Sequence, residues 1–342
     1  MATTTAEELL ASDEFYFQWH LTERCNRSCK HCYQEGPAAQ ELPLTDLLRV
    51  VDGMEAALAK WDKVGTLSLT GGEPFLRRDD LHVLMDRLDS SEQIAFYDIL
   101  TNGSLITEPE AEALAAHARL RRVQVSLEGA TRETNDAIRG SGSFESTLAA
   151  VRFLTSRQIP VSVMTTISKA NQEEFPALVE LCGREGVATL ALERLIPEGS
   201  GSDMADQVLS RDELRQFYEQ VHRTALDSPP VRILLYRPLF ALLGPDDPTV
   251  GALCSAGNNA LTVMPDGTVY PCRRLPIPIG HALEDGFFKI WYGSEVLWRI
   301  RDPKNLGGKC GACDLITKCR GCRAMAYFTT GDYMAEDPQC WA

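Results

Sequence analysis

The chain has 342 residues, 44% hydrophobic and 24% charged, a balance that suits folded globular domains and excludes a mainly disordered polymer. Lys and Arg total 34 against 48 Asp and Glu, and the net charge of −14 offers no basic footprint for nucleic acid or an anionic membrane. At roughly 150 residues per domain, the length points to about two domains.

Residues 1–14 read as an N-terminal tail. Glu7, Glu8, Asp13 and Glu14 stand where an export signal would carry positive charge. No apolar run approaches the ~20 residues that span a bilayer, so no membrane partner is expected and the chain is expected in the cytoplasm.

Residues 15–226 alternate short apolar strands with amphipathic helices, the pattern of a parallel α/β unit. Phe17 to Leu21 reads as a first strand, and Leu47, Val50, Val51, Met54 and Leu58 repeat at helical spacing. Leu67 and Leu69 mark a second strand, followed by a helical face of Leu81, Leu84, Met85 and Leu88. Ile94 to Leu100, Val123 to Leu127, Val161 to Ile167 and Thr189 to Leu192 supply four more strands. Six strand–helix units are too few for the eight-fold barrel, so the expected fold is a partial, open (β/α)6 TIM-like barrel. Its site should lie at the carboxyl ends of the strands.

Residues 227–342 read as a separate, small Cys-rich domain after a linker at Asp227 to Pro230. Val263 to Tyr270 is expected to form a β-hairpin around Pro265-Asp266-Gly267. The rest lacks a sizeable apolar core and is expected to need metal to stay folded.

The cysteines carry the chemistry. There are 11, an odd count that fits a disulfide framework poorly, with three near the start and seven from residue 254 onward. Cys25, Cys29 and Cys32 sit in the loop after the first strand, spaced by three residues and then two. Three thiolates can bind three irons of a 4Fe–4S cluster and leave the fourth open, whereas a structural zinc wants four protein ligands.

This motif resembles that of the radical S-adenosylmethionine (SAM) enzymes. Leu69-Thr70-Gly71-Gly72-Glu73-Pro74 is similar to the family's segment for the SAM amino group, and glycines there let backbone approach closely. The resemblance implies further SAM contacts from Ser126 and Glu128 at the end of the fourth strand, and from Arg139 to the SAM carboxylate. It also places His31 beside the adenine and Asn102 in the same pocket. The implied activity is reductive cleavage of SAM to a 5′-deoxyadenosyl radical, which abstracts a substrate hydrogen.

Cys254, Cys272, Cys310, Cys313, Cys319, Cys322 and Cys340 resemble the seven-cysteine SPASM extension of such enzymes, which binds two auxiliary 4Fe–4S clusters. Three clusters in all are therefore implied. Family topology assigns Cys310, Cys313, Cys319 and Cys340 to the distal cluster and Cys254, Cys272 and Cys322 to the proximal one. The spacing of two residues between Cys319 and Cys322 departs from the commoner three. Cys182, on the apolar face with Leu178 and Val179, reads as a buried core thiol. Alternative readings remain a pair of zinc ribbons, or an electron carrier without turnover, which would have no need of a SAM pocket.

The resemblance implies a peptide or small-protein substrate, with thioether or other side-chain crosslinking as the expected outcome. A porphyrin side chain is the alternative. The anaerobic sulfatase maturases carry an Asp base after the cysteine matching Cys272, but Arg273 and Arg274 follow it here, and a guanidinium cannot accept a proton at neutral pH. The first strand begins so early that no leader-binding domain is expected within the chain, which would leave that task to a separate partner. Turnover also implies a low-potential donor such as flavodoxin or ferredoxin. No residue stands out as a catalytic base.

Overall fold

The computed structural model describes residues 14–34 and 40–342, so most of the N-terminal tail lies outside the described residues. Strand β1 (Glu14–His20) leads by way of the cysteine loop into helix α1 (Leu44–Trp61), then β2 (Val64–Thr70) and α2 (Arg78–Asp89). Strand β3 (Ile94–Thr101) and α3 (Glu108–Ala115) precede β4 (Leu120–Ser126), α4 (Arg132–Arg139) and α5 (Ser143–Ser156). Strand β5 (Val161–Ile167), α6 (Phe175–Arg184), β6 (Thr189–Arg194) and α7 (Arg211–Leu226) complete six repeats.

Helix α1 buries Leu47, Val50, Val51, Met54, Ala57 and Leu58, one stripe at 3.6-residue spacing. It stops at Asp62, whose left-handed φ of 54° frees the backbone from the helix. A capping box starts α7, where Ser210 and Glu213 satisfy each other's backbone N–H groups.

The sheet does not stop at six strands. Strand β7 (Arg232–Leu234) runs parallel to β6, and β8 (Ala260–Val263) runs parallel to β1. Eight parallel strands therefore stand side by side, in the order β8-β1-β2-β3-β4-β5-β6-β7. Strands β9 (Thr268–Tyr270) and β10 (Gly280–His281) extend the β8 edge in antiparallel fashion. The two edges, β7 and β10, do not pair, and the barrel stays open. The hairpin at 260–270 is thus continuous with the barrel sheet. Its strands are too short, and β7 too weakly patterned, for periodicity alone to have shown that join.

The two faces of β1 have opposite chemistry. Phe15, Phe17 and Trp19 are fully buried toward the helices. Phe15 packs 4.6 Å from Trp61 and 4.8 Å from Trp291, and Phe17 packs 5.2 Å from Phe287 on α8 (Phe287–Gly293). Tyr16, Gln18 and His20 alternate onto the other face, which lines the barrel interior with Ser68, Asp98 and Arg122. Beyond α8 lie α9 (Glu295–Arg301), a single turn α10 (Gly308–Gly311) and α11 (Arg323–Thr330). A second, smaller apolar cluster of Leu275, Ile300, Leu306, Met325 and Met334 holds this end together.

Phe17 joins the barrel sheet to the α8 segment, and Phe17→Ala is expected to cost about 3–5 kcal/mol. Urea midpoints of the two proteins check this; a shift below about 1 kcal/mol would show that the ring anchors nothing.

Candidate functional site

Backbone hydrogen bonds hold the cysteine loop against the end of β2. Gly72 N–H donates to the Thr22 carbonyl at 2.8 Å, and Glu73 N–H donates to the Arg24 carbonyl at 2.9 Å. A Cβ on Gly72 would lie 2.6 Å from the Glu23 carbonyl oxygen, and one on Gly71 would lie 3.1 Å from Thr22 N. The glycines therefore admit the loop itself to the strand end, a different close approach from the one expected of a ligand. The loop's far side is tied down too. Lys30 N–H donates to the Ile138 carbonyl at 2.9 Å, and Gly201 N–H to the Cys32 carbonyl at 2.9 Å.

Glu73 is completely buried, and both its oxygens are engaged. They accept from Thr101 Oγ1 at 2.7 Å, Asn102 N at 2.8 Å and Phe75 N at 3.2 Å. Burial pushes its carboxyl above the usual range despite these bonds. Pro74 starts the short helical turn that Glu73 caps. Asn102 in turn donates to Asn26 Oδ1 at 2.9 Å and points Nδ2 at Cys25 Sγ, 3.7 Å away. Glu73 and Asn102 thus fix the cysteine loop from beneath.

The remaining pocket residues converge. Glu128 accepts from Arg139 Nη1 at 2.9 Å and from the Thr166 N–H at 2.7 Å, with His31 Nε2 at 3.3 Å. Burial alone would raise its carboxyl, but His31, Arg139 and the Thr166 N–H outweigh that and hold it low. Ser126 Oγ lies 3.5 Å from the Thr101 carbonyl. Two buried nitrogens of these residues have no partner, His31 Nδ1 and Arg139 Nε. Such orphaned groups are what a polar ligand would satisfy, so the residues fit SAM. Burial pushes the Cys29 thiol up to about 11, so binding iron there must displace a proton.

The seven later cysteines fall into two groups. Cys310, Cys313, Cys319 and Cys340 line one cavity of about 490 Å³. Burial raises the Cys254 and Cys272 thiols, Cys322 lies close enough to push both up further, and Cys272 adds to the rise at Cys254, so the three form the second group. Backbone N–H groups point at several sulfurs: Leu315 at Cys313 and Gly321 at Cys319, both 3.4 Å, and Met325 at Cys322, 3.5 Å. Among the described residues no three His, Cys, Asp or Glu side chains converge on a single-ion site. Thiols that surround a cavity fit a cluster better than a zinc, which needs its sulfurs within about 2.3 Å of one point. Cys182 lies apart from both groups, buried on α6.

Between the first thiol triad and the Cys254, Cys272 and Cys322 group is a cationic wall that sequence reading saw only in part. Arg274 Nη2 donates to Glu193 Oε2 at 2.7 Å, and Arg237 pairs with the other oxygen of the same carboxylate. Arg273 stacks 4.7 Å over Tyr33 and reaches Glu23 at 3.5 Å. Arg237 gave one signal in the sequence, a charge inside the apolar stretch 234–243, whereas Glu193 gave none. A further buried pair, Arg194 with Asp337, joins the end of β6 to the C-terminal segment at 2.8 and 3.0 Å.

Residues 19–182 match the Radical SAM superfamily, and residues 254–323 match an iron–sulfur cluster-binding domain, SPASM. The AdoMet-dependent heme synthase of Methanosarcina barkeri is 33% identical over 99% of this chain and 98% of its own. The mycofactocin maturase MftC of Mycobacterium tuberculosis is 33% identical over 94% of this chain and 81% of its own. Streptococcus suis SuiB bound to its precursor peptide SuiA shares the fold, with a TM-score of 0.76 at 18% identity, over 96% of this chain and 77% of that one. No helix among the described residues is long and apolar enough to cross a membrane. With the thiol triad at the mouth of a parallel barrel and two further thiol groups beyond it, the chain belongs to the radical SAM enzymes that carry a C-terminal SPASM iron–sulfur domain.

Proposed function

We propose that this enzyme abstracts a hydrogen from a carboxylate-bearing side chain of a tetrapyrrole, with three 4Fe–4S clusters and SAM as its cofactors. Cys25, Cys29 and Cys32 would hold the first cluster, and the two later thiol groups would hold the auxiliary pair. When bound, the first cluster and SAM supply a one-electron cleavage that yields a 5′-deoxyadenosyl radical. The protein's own part is orientation. Glu73 and Asn102 fix the thiol loop, Gly71 and Gly72 admit that loop to the strand end, and Arg139 Nε and His31 Nδ1 are unpaired nitrogens that SAM would meet.

The observation that carries the substrate reading is the alignment with the Methanosarcina heme synthase, which spans both chains almost end to end. The sheet edges agree with it. They are strands of three and two residues, which leaves little open edge for a peptide to add as a strand. Peptide modification is the second reading, supported by the equal identity to the mycofactocin maturase. A low-potential ferredoxin or flavodoxin would serve either, and a leader-binding partner the second.

Two experiments test this. Oxygen-free enzyme given dithionite and SAM should form 5′-deoxyadenosine, and Cys29→Ala should lower that rate by at least 10³-fold while Cys182→Ala leaves it alone. Equal rates in the two variants would refute the cluster assignment. A propionate-bearing porphyrin should then raise the rate and lose mass; a porphyrin that does neither returns the substrate to the peptide reading.

A further inference from the structure

We propose that His20, Arg237, Arg273 and Arg274 form a pocket that grips a carboxylate of the substrate, between the first thiol triad and the Cys254, Cys272 and Cys322 group. The proposal rests on the reading of this mouth as a radical SAM active site, and it names the group by which the substrate is held.

Charge is the first argument. Arg237 and Arg274 share the single carboxylate of Glu193, which is largely buried, so the trio carries one positive charge in excess. Arg273 is more deeply buried, its contact with Glu23 is long at 3.5 Å, and its Nε has no partner. Buried cations with incomplete pairing are costly unless an anion completes them.

His20 is the second, independent argument. It ends β1 on the interior face, is wholly buried, and neither ring nitrogen has a partner. A buried polar atom left without a partner carries the full cost of its desolvation. Burial and the nearby Arg273 keep the ring neutral, with one N–H to give.

Position and shape select the ligand. Arg273 and Arg274 directly follow Cys272, and Arg273 stacks on Tyr33, the residue after Cys32. The guanidiniums therefore stand between the two thiol groups, where a substrate must lie to meet a radical formed at the first. A planar guanidinium matches a carboxylate with two parallel bonds. Glu23 and Glu193 in the same wall would repel a phosphate dianion, so a singly charged carboxylate is the better fit.

Equilibrium dialysis of the cluster-loaded enzyme against mesoporphyrin and its dimethyl ester tests the pocket. Wild type should bind the diacid at least tenfold tighter than the ester, and Arg274→Gln, Arg273→Gln and His20→Phe should each erase that preference. Far-UV circular dichroism and iron content confirm that the variants fold. Equal binding of diacid and ester by wild type overturns the pocket. If wild type binds neither, the tetrapyrrole reading fails while the pocket is still judged by arginine labelling of wild type with phenylglyoxal. Glutarate, but not glutaramide, should then protect Arg273 and Arg274 at least fivefold; no protection overturns the proposal.

Discussion

Replacing Asp337 by Ala should destabilise the protein by about 3–5 kcal/mol, the cost of leaving a buried partner charge uncompensated. Asp337 is 1% exposed and Arg194 8%. The two meet through a pair of bonds at 3.0 and 2.8 Å, and Gln339 Oε1 takes a further Arg194 hydrogen at 2.8 Å. Asp337 also accepts the Cys322 N–H at 2.8 Å and the Gln339 N–H at 3.1 Å, while Gln339 Nε2 donates to the Leu209 carbonyl at 2.6 Å. One carboxylate therefore sets the end of β6, the C-terminal segment and the backbone of a cysteine in the second thiol group. Asp337→Ala should lower the urea midpoint and release iron from that group first. The double variant Arg194→Met with Asp337→Leu removes both charges and should recover much of the stability but not the Cys322 bond. Iron retained at wild-type levels in Asp337→Ala would show that the carboxylate does not position Cys322.

This junction also shows where sequence reading stops. The six main strands were legible because each is a short apolar run between helices of clear 3.6-residue spacing, such as Leu47 to Leu58. The thiol triad was legible because its three cysteines are local in sequence. Arg194 and Asp337 lie 143 positions apart, and each alone is an ordinary charged residue. The same holds for Glu193 with Arg237 and Arg274, whose meaning appears only when β6, the exit of β7 and the turn after β9 converge on one mouth. Strand β7 and the parallel pairing of β8 with β1 escaped for another reason. Three and four residues are too few to show a period, and parallel pairing with a distant neighbour leaves no local mark. Gly71 and Gly72 were found by motif, yet the physical demand they meet is protein backbone at van der Waals limits.

That demand gives the sharpest expectation at the site. Gly72→Ala should leave the barrel folded, strip the first cluster and lower SAM cleavage by on the order of 10²-fold or more, the usual result of moving a reacting group by about 1 Å. The new methyl would overlap the Arg24 carbonyl and sit 2.6 Å from both Arg24 C and the Glu23 oxygen. Neither obstacle is the end of a flexible side chain. Both belong to the backbone that leads directly into Cys25. The loop must back away, which breaks the Gly72-to-Thr22 and Glu73-to-Arg24 bonds and draws Cys25 from Asn102. The two later thiol groups are built from residues beyond 250 and should keep their iron, so total iron should fall by about a third and no further. Gly293→Ala is the control, since a Cβ there meets nothing within 4 Å and its φ is not in the left-handed region. It should retain full iron and full 5′-deoxyadenosine formation. Gly72→Ala with wild-type iron and rate would mean that the cysteine loop can slide along β2 at little cost, and that its bonds to the strand end do not set the position of the triad.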